Sequence, residues 1–147
     1  MRPPLDPEGL QRFVEAQATV YDAVCRELRA GRKTSHWMWF VFPQLRVLGR
    51  SATARFFGLA DLAEAQAYAA HPVLGPRLVE CSELVLAASG RSAHEIFGTP
   101  DDLKLCSCMT LFEVAAAAPV FARVLERLYA GERDALTLAE LGRGERP

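Results

Sequence analysis

The segment Gly31–Gln44 constrains the fold most, because its middle is apolar on every side. Both tryptophans of the chain, Trp37 and Trp39, lie in it, and residues 36–42 show no amphipathic period. Such a stretch has to be buried, either as a short helix or as a strand. Its aromatic residues favour a strand, whereas its length and its neighbours favour a helix. Pro43 ends it in both cases.

Outside that segment, apolar residues recur at spacings of three and four, and no alternating strand pattern is present. Asp6-Pro7-Glu8 is a helix-opening signal, and the apolar face that follows it continues to Leu28. We therefore predict one long first helix that ends at Gly31. Side-chain N-caps of later helices are predicted at Ser51, Asp61, Ser92 and Thr99.

These signals predict an all-α fold, a compact and irregular bundle of six to eight helices. The length of 147 residues suits a single domain with its own apolar core. We expect residues 1–147 to form that one helical domain, with an ordered core over about 6–141. Residues 142–147 are expected to form a flexible tail.

The charge of the chain is nearly balanced, but it is not evenly spread. The formal net charge is −1, which argues against a nucleic-acid or membrane-surface partner. Between Arg26 and Arg55, however, seven basic residues face a single acid, Glu27. This window could attract an anionic ligand, or its arginines could be ordinary surface and helix-end residues.

The four cysteines carry no metal-site spacing, and no histidine pair completes a zinc set. The N-terminus lacks the apolar core of a signal peptide, and the longest aromatic-rich apolar run, 37–42, is far too short to span a membrane. We therefore expect a soluble, cytoplasmic protein with free thiols. No metal and no cofactor is predicted, and the oligomeric state is left open.

His36 is the candidate catalytic residue, because an imidazole can exchange a proton near neutral pH. It precedes Trp37 and Trp39 inside the basic window, and aromatic walls with a cationic rim suit a planar anion. The alternative is a core histidine that donates to a backbone carbonyl and is flanked by core tryptophans.

Further polar residues could complete a cleft around His36. Gln17 lies on the apolar face of the first helix, where it either lines a pocket or bonds a buried backbone group. Asp102 either contacts a ligand or caps a helix, and Ser107 either lines a pocket or bonds back to the preceding turn. The predicted ligand-binding residues are Gln17, Tyr21, Lys33, Trp37, Trp39, Gln44, Arg50, Ser51, Asp102 and Lys104.

Several motifs carry a resemblance to a known family over about residues 8–130. They are Ser35-His36-Trp37-Met38-Trp39-Phe40-x-Phe42-Pro43-Gln44, Leu48-Gly49-Arg50-Ser51 and Asp101-Asp102-x-Lys104. The chain resembles a bacterial domain-of-unknown-function family of small all-helical proteins, some of which carry the label "calpastatin". The resemblance implies a single helical domain and no established activity. Calpastatin itself is a disordered protease inhibitor, whereas this chain has the apolar content of a folded domain.

The leading hypothesis is that the chain binds a small planar or anionic, nucleotide-like ligand in a cleft built from residues His36–Trp39. One alternative is a hydrolase that acts on a nucleotide-derived substrate with His36 as its acid–base group. The helical pattern is also faintly similar to that of small bacterial N-glycosidases acting on ADP-ribose-type compounds. A further alternative is a non-enzymatic protein-interaction domain, and the last is that the motif serves only as core.

Overall fold

Ten α-helices and a 3₁₀ turn, Arg46–Leu48, make up the computed structural model within the residues it describes, 9–88 and 90–144. No β-strand occurs in that part, and one isolated bridge joins Leu45 to Leu59. The all-α prediction is confirmed, but the predicted six to eight helices are too few. The helices are α1 Gln11–Ala18, α2 Tyr21–Arg29, α3 Met38–Val41, α4 Ala52–Phe56, α5 Leu62–Ala70, α6 Leu74–Ala87, α7 Ala93–Phe97, α8 Asp101–Ala115, α9 Val120–Leu128 and α10 Ala135–Gly144.

The predicted long first helix is wrong, because the chain breaks it between α1 and α2. Val20 has a φ of −121°, which lies outside the helical region, and it follows Thr19, so two β-branched residues stand side by side. Their restricted side chains make a helix less favourable at this point. The signal at Asp6-Pro7-Glu8 lies outside the described residues. Gly31 ends α2 with a φ of +71°, as expected of a helix-terminating glycine.

Three of the four predicted caps are confirmed. The Ser51 Oγ accepts a hydrogen bond from the Ala54 N–H at 3.0 Å, and the Asp61 Oδ1 accepts one from Glu64 at 2.9 Å. Ser92 and Glu95 form a reciprocal capping box at the start of α7. These three side chains therefore fix the starts of three helices as the sequence predicts.

The predicted N-cap at Thr99 is wrong. Pro100 occupies the N-cap position of α8, and no side chain caps that helix. The Thr99 hydroxyl instead donates to the Asp102 carboxylate at 3.4 Å and lies 3.1 Å from the His94 Nδ1. At the other end of the chain, α10 continues to Gly144, so residues 142–144 are helical, while 145–147 lie outside the described residues.

For the aromatic segment, residues 36–42, the alternatives were a short buried helix and a buried strand, and the structure shows the helix. Trp37, Met38, Val41 and Phe42 are all almost completely buried, and α3 occupies the middle of the segment. The Phe97 ring packs edge-on against both Trp37 and Phe42. Only four residues are helical because Pro43 prevents further helical hydrogen bonding.

Gln17 anchors this segment to the rest of the core. Its buried Nε2 donates to the Phe40 carbonyl at 2.7 Å and to the Tyr68 hydroxyl at 3.0 Å, and its Oε1 accepts from Arg77 at 3.3 Å. Every hydrogen-bonding group of the buried amide therefore has a partner, and the carbonyl of a four-residue helix is satisfied from outside the helix.

The helix α8 is the centre of the bundle. It is buried along most of its length and contacts α5, α7, α9 and α10. Its first turn faces the loop that leads into α3, since the Lys33 Nζ lies 2.9 Å from the Asp101 Oδ2. The bundle therefore brings the start of α8 next to the aromatic segment, although more than sixty residues separate Lys33 from Asp101 along the chain.

None of the helices in the described ranges is long and apolar enough to cross a membrane. Cys25, Cys81, Cys106 and Cys108 are all free thiols. The cytoplasmic location stays a prediction.

Substituting Gln17 tests its role as an anchor. Gln17→Met keeps the volume but leaves the Phe40 carbonyl and the Arg77 guanidinium without this partner, so we expect a loss of about 1–3 kcal/mol in the free energy of unfolding. Gln66→Met, at an exposed position on α5, is the matched control and should change it by less than about 0.5 kcal/mol. Urea denaturation measures both, and equal values for the two variants would contradict the anchoring role.

Candidate functional site

The loop between α2 and α3 is organised by the carboxylate of Glu27, in the last turns of α2. Its Oε1 accepts from the Thr34 and Ser35 N–H groups at 2.7 and 3.0 Å and from the Trp37 indole at 2.9 Å. Its Oε2 accepts from the Ser35 hydroxyl at 2.6 Å. One carboxylate therefore satisfies the donors of the turn and holds Trp37 in the core.

These contacts change the acidity of Glu27. Partial burial by itself raises the pKa of the carboxyl group, because it disfavours the charged form. The hydrogen bonds from the Ser35 hydroxyl, the Thr34 N–H, Trp37 and the Ser35 N–H outweigh burial and lower the pKa to about 2. The charged carboxylate is therefore the form that the folded loop requires.

Lys33 and Trp37 belong to this buried layer. Trp37 is 1% exposed, and the Lys33 ammonium lies 5.2 Å from its ring centre. The Lys33 side chain is 9% exposed and pairs with Asp101, while the backbone N–H of Lys33 donates to the Ile96 carbonyl at 2.7 Å. Both side chains are therefore occupied in joining the loop to α7 and α8.

His36 and Trp39 lie nearer to the solvent. The His36 ring is exposed and stacks beside the half-buried Trp39, with 6.4 Å between the ring centres and an angle of 28°. The Lys104 Nζ lies 6.0 Å from the centre of the Trp39 ring. Lys104 therefore connects this aromatic pair to the surface of α8.

A cleft of about 750 Å³, which we call the Arg50 cleft, opens next to Lys104. Three segments line it: residues 44–54, the first two turns of α8, and the link from α9 into α10. Its volume is within the usual range for a small-molecule site. The lining residues are Gln44, Val47, Leu48, Gly49, Arg50, Ser51, Ala54, Pro100, Leu103, Lys104, Cys106, Ser107, Tyr129, Glu132, Arg133, Asp134, Ala135 and Leu136.

Four of the sequence-predicted residues meet in this cleft: Gln44, Arg50, Ser51 and Lys104. Among the described residues, neither the Gln44 amide nor the Arg50 guanidinium has a hydrogen-bond or ion-pair partner. Besides its contact with the Trp39 ring, Lys104 has a long contact of 3.9 Å with Asp101. The cleft therefore presents an amide and two cations whose hydrogen-bonding capacity is largely unused.

The remaining charges of the cleft are mostly engaged. The Arg133 guanidinium binds Glu113, with a distance of 2.9 Å between its Nε and the Glu113 Oε1. The Asp134 carboxylate caps α10, because it accepts from the N–H and the hydroxyl of Thr137. Glu132 is exposed at the rim. The free charge is thus mainly that of Arg50 and Lys104, opposed by Glu132.

The other predicted binding residues lie elsewhere. Gln17 is the buried anchor of α3, and Tyr21 donates its hydroxyl to Glu80 and stacks on Arg77, 4.7 Å from its ring centre. Burial and the hydrogen bond with Glu80 raise the pKa of Tyr21. Asp102 contacts Thr99 and His94, and Trp37 is core. Lys33 and Trp39 contact α8 and His36 lies beside Trp39, but none of the three lines the Arg50 cleft.

Several residues of the cleft were not recognised as binding residues in the sequence. Tyr129 lies at the end of α9 and donates its hydroxyl to the Asp102 carbonyl. Ser107 does line the cleft, yet its hydroxyl also bonds back to the Leu103 carbonyl at 3.3 Å. Leu103 and Leu136 carried no signal in the sequence, and their exposure in the cleft is evident only in the structure. In the described residues, no three histidine, cysteine or acidic side chains are placed to hold a metal.

The chain belongs to the family described as "Protein of unknown function (DUF1810)", whose model matches residues 7–141. It is similar to the conserved hypothetical protein Rv1873 from Mycobacterium tuberculosis, which has been solved as a crystal structure. The two share 58% sequence identity with a TM-score of 0.92, over 93% of this chain and 99% of that one. A comparison with curated proteins finds no match.

Acid titration tests the Glu27 loop. Because its pKa is lowered from 4.5 to about 2 on folding, Glu27 contributes stability that is fully present above pH 4.5 and is lost as the pH falls from 4.5 towards 2. In Glu27→Gln that part of the pH dependence should disappear, and the protein should be less stable at pH 7.

The measurement is urea denaturation at several pH values, with tryptophan fluorescence as the signal that reports unfolding. The exposed Glu15→Gln on α1 serves as the control and should keep the wild-type slope between pH 4.5 and 2. A Glu27→Gln variant with the wild-type slope would show that the loop does not depend on this charge.

Proposed function

We propose that this member of a family of unknown function binds a small organic anion, with a phosphate or carboxylate group, in the Arg50 cleft. The observation that carries the proposal is the pair of unpartnered polar groups in that cleft, the Arg50 guanidinium and the Gln44 amide. Arg50 is exposed and Gln44 is half-buried, so both groups are accessible to a ligand that enters the cleft. A small number of polar groups that converge on one cleft is typical of small-molecule sites.

The chemistry of these groups favours an anion. A guanidinium presents parallel N–H donors that match the two oxygens of a carboxylate or phosphate. The Lys104 ammonium adds a second positive charge from α8, and the Gln44 amide supplies two further N–H donors. The Ser51 Oγ accepts from the Ala54 N–H, so its own proton is available to a ligand oxygen.

A second large cleft among the described residues has the opposite character. It measures about 690 Å³ and lies between α6 and the link from α8 to α9, where Ala116, Ala117 and Ala118 form part of its wall. Its charged residues are Glu80 and Glu83, whose carboxylates repel an anion. The charge of the lining therefore distinguishes the two clefts, and it favours the Arg50 cleft for an anionic ligand.

Binding is better supported than hydrolysis. His36, the candidate acid–base residue, lies beside Trp39 rather than in the lining of the cleft. A second histidine, His94, contacts Thr99 and Asp102, but both contacts involve the same ring nitrogen, Nδ1. A relay from hydroxyl to carboxylate uses both ring nitrogens, so this trio lacks the arrangement of a nucleophile with its base.

Affinity measurements test the proposal. A panel of inorganic phosphate, AMP, ADP-ribose, sugar phosphates and small carboxylates is screened by thermal shift, and hits are quantified by calorimetry. Arg50→Ala should weaken the binding of a hit roughly tenfold or more, the usual effect of losing a charge-assisted hydrogen bond. Lys104→Ala should weaken it less, because Lys104 already contacts Asp101.

Arg55→Ala is the matched control, because it removes an equal charge from the exposed side of α4 outside the cleft. It should bind like the wild type, and so should His36→Ala. Equal losses in Arg50→Ala and Arg55→Ala would indicate a general charge effect. Binding that depends on His36 but not on Arg50 would move the site to the aromatic pair and contradict the proposal.

A further inference from the structure

The exposed apolar side chains of this protein are not scattered evenly. Within the described residues six large apolar side chains are exposed, and three of them line the Arg50 cleft. These three are Val47 at 64%, Leu103 at 63% and Leu136 at 64%. The other three are Phe56, Val114 and Leu138.

The three aliphatic side chains reach the cleft from different parts of the chain. Val47 is in the 3₁₀ turn, Leu103 is in the first turn of α8, and Leu136 is in the first turn of α10. None of these elements needs an exposed aliphatic residue to form. Single exposed apolar residues are ordinary, but their convergence on one cleft marks a surface that a ligand covers.

We infer that the ligand of the Arg50 cleft is an amphiphilic anion, with a phosphate or carboxylate head and an aliphatic chain. The head lies between Arg50 and Lys104, and the chain covers Val47, Leu103 and Leu136. This inference rests on the proposed function, since its head group is the anion proposed there. It adds that the uncharged part of the ligand is aliphatic rather than a planar base.

The lining of the cleft supports an aliphatic body. Within the part of the chain that the structure describes, Tyr129 is the only aromatic residue in the lining, and its hydroxyl is bonded to the Asp102 carbonyl. The stacked His36 and Trp39 rings lie outside the lining. A planar base would therefore meet mostly aliphatic side chains, whereas a flexible chain can follow the three aliphatic contacts.

The size of the cleft supports a free small molecule. A volume of about 750 Å³ suits one short amphiphile, whereas a protein partner usually covers a wider and flatter surface. We therefore commit to a single soluble amphiphile. Binding of a membrane lipid or of a protein segment in its place would contradict the inference.

A homologous series of ligands tests the inference. Dissociation constants are measured by calorimetry for inorganic phosphate and for butyl, hexyl and octyl phosphate, each below its micelle concentration. If the chain lies on the aliphatic residues, affinity should rise up to about fourfold per buried methylene. Leu136→Ser should weaken octyl phosphate roughly tenfold while leaving inorganic phosphate nearly unchanged.

Leu138→Ser is a close control, because Leu138 is also an exposed leucine of α10 but does not line the cleft. It should bind the whole series like the wild type. Val47→Ser provides a second cleft variant on a different element and should reproduce the effect of Leu136→Ser. Both target residues are exposed, so neither substitution removes a core contact.

The outcomes separate this inference from the proposed function. If phosphate binds through Arg50 but chain length adds no affinity, the aliphatic body is overturned and the anion site stands. If longer chains bind equally well to Arg50→Ala and Leu136→Ser, they bind another surface, and the inference is overturned. The inference is also overturned if no member of the series binds. It is overturned as well if Arg50-dependent binding is found only with vesicles that contain phosphatidic acid, since the ligand would then be a membrane lipid.

Discussion

The carboxylate of Glu27 is the contact on which the aromatic segment depends. The loop before α3 has to turn and to bury the Trp37 indole, and both the turn and the indole present N–H donors. Glu27 accepts three bonds from these N–H groups and a fourth from the Ser35 hydroxyl, so the Trp37 indole enters the core with its N–H paired. Gln17 has the corresponding role for an acceptor of the segment, because its amide donates a hydrogen bond to the Phe40 carbonyl. Two polar side chains, placed on α2 and α1, thus make it possible to bury a run that is apolar all round.

This arrangement separates the motif into a core part and a surface part. Trp37 packs inside, whereas Gln44, at the end of the same segment, lines the Arg50 cleft. The basic window divides in the same way. The charge of Lys33 is used by Asp101, whereas the charge of Arg50 has no protein partner within the described residues. The motif therefore positions the cleft, and the groups proposed to bind the ligand follow it along the chain.

The sequence predicted those features of the fold that depend only on neighbouring residues. Ser51, Asp61 and Ser92 cap their helices as expected, since an N-cap needs only a short polar side chain and the next turn. The break at Thr19 and Val20 and the engagement of Thr99 with Asp102 and His94 escaped prediction. In the first case a weak local preference outweighed a continuous apolar face, and in the second a side-chain contact across α7 and α8 replaced capping.

Glu27 was recognised only as the single acid of the basic window, because nothing in the sequence shows that three later residues turn back onto it. Only part of the cleft was predictable. The chemistry of Gln44, Arg50, Ser51 and Lys104 marked them in the sequence, whereas Tyr129, Leu103 and Leu136 join them only in three dimensions.

The most direct test of this account is a map of chemical-shift changes in the ¹⁵N-labelled protein during titration with octyl phosphate. The account predicts changes at the Gln44 side-chain amide and at the backbone of Ser51, Lys104 and Leu136. The Trp37 indole, which is bonded to Glu27 in the core, should not move. Changes centred on Trp37 and His36, or on the cleft between α6 and the link from α8 to α9, would contradict the separation of the core motif from the Arg50 cleft.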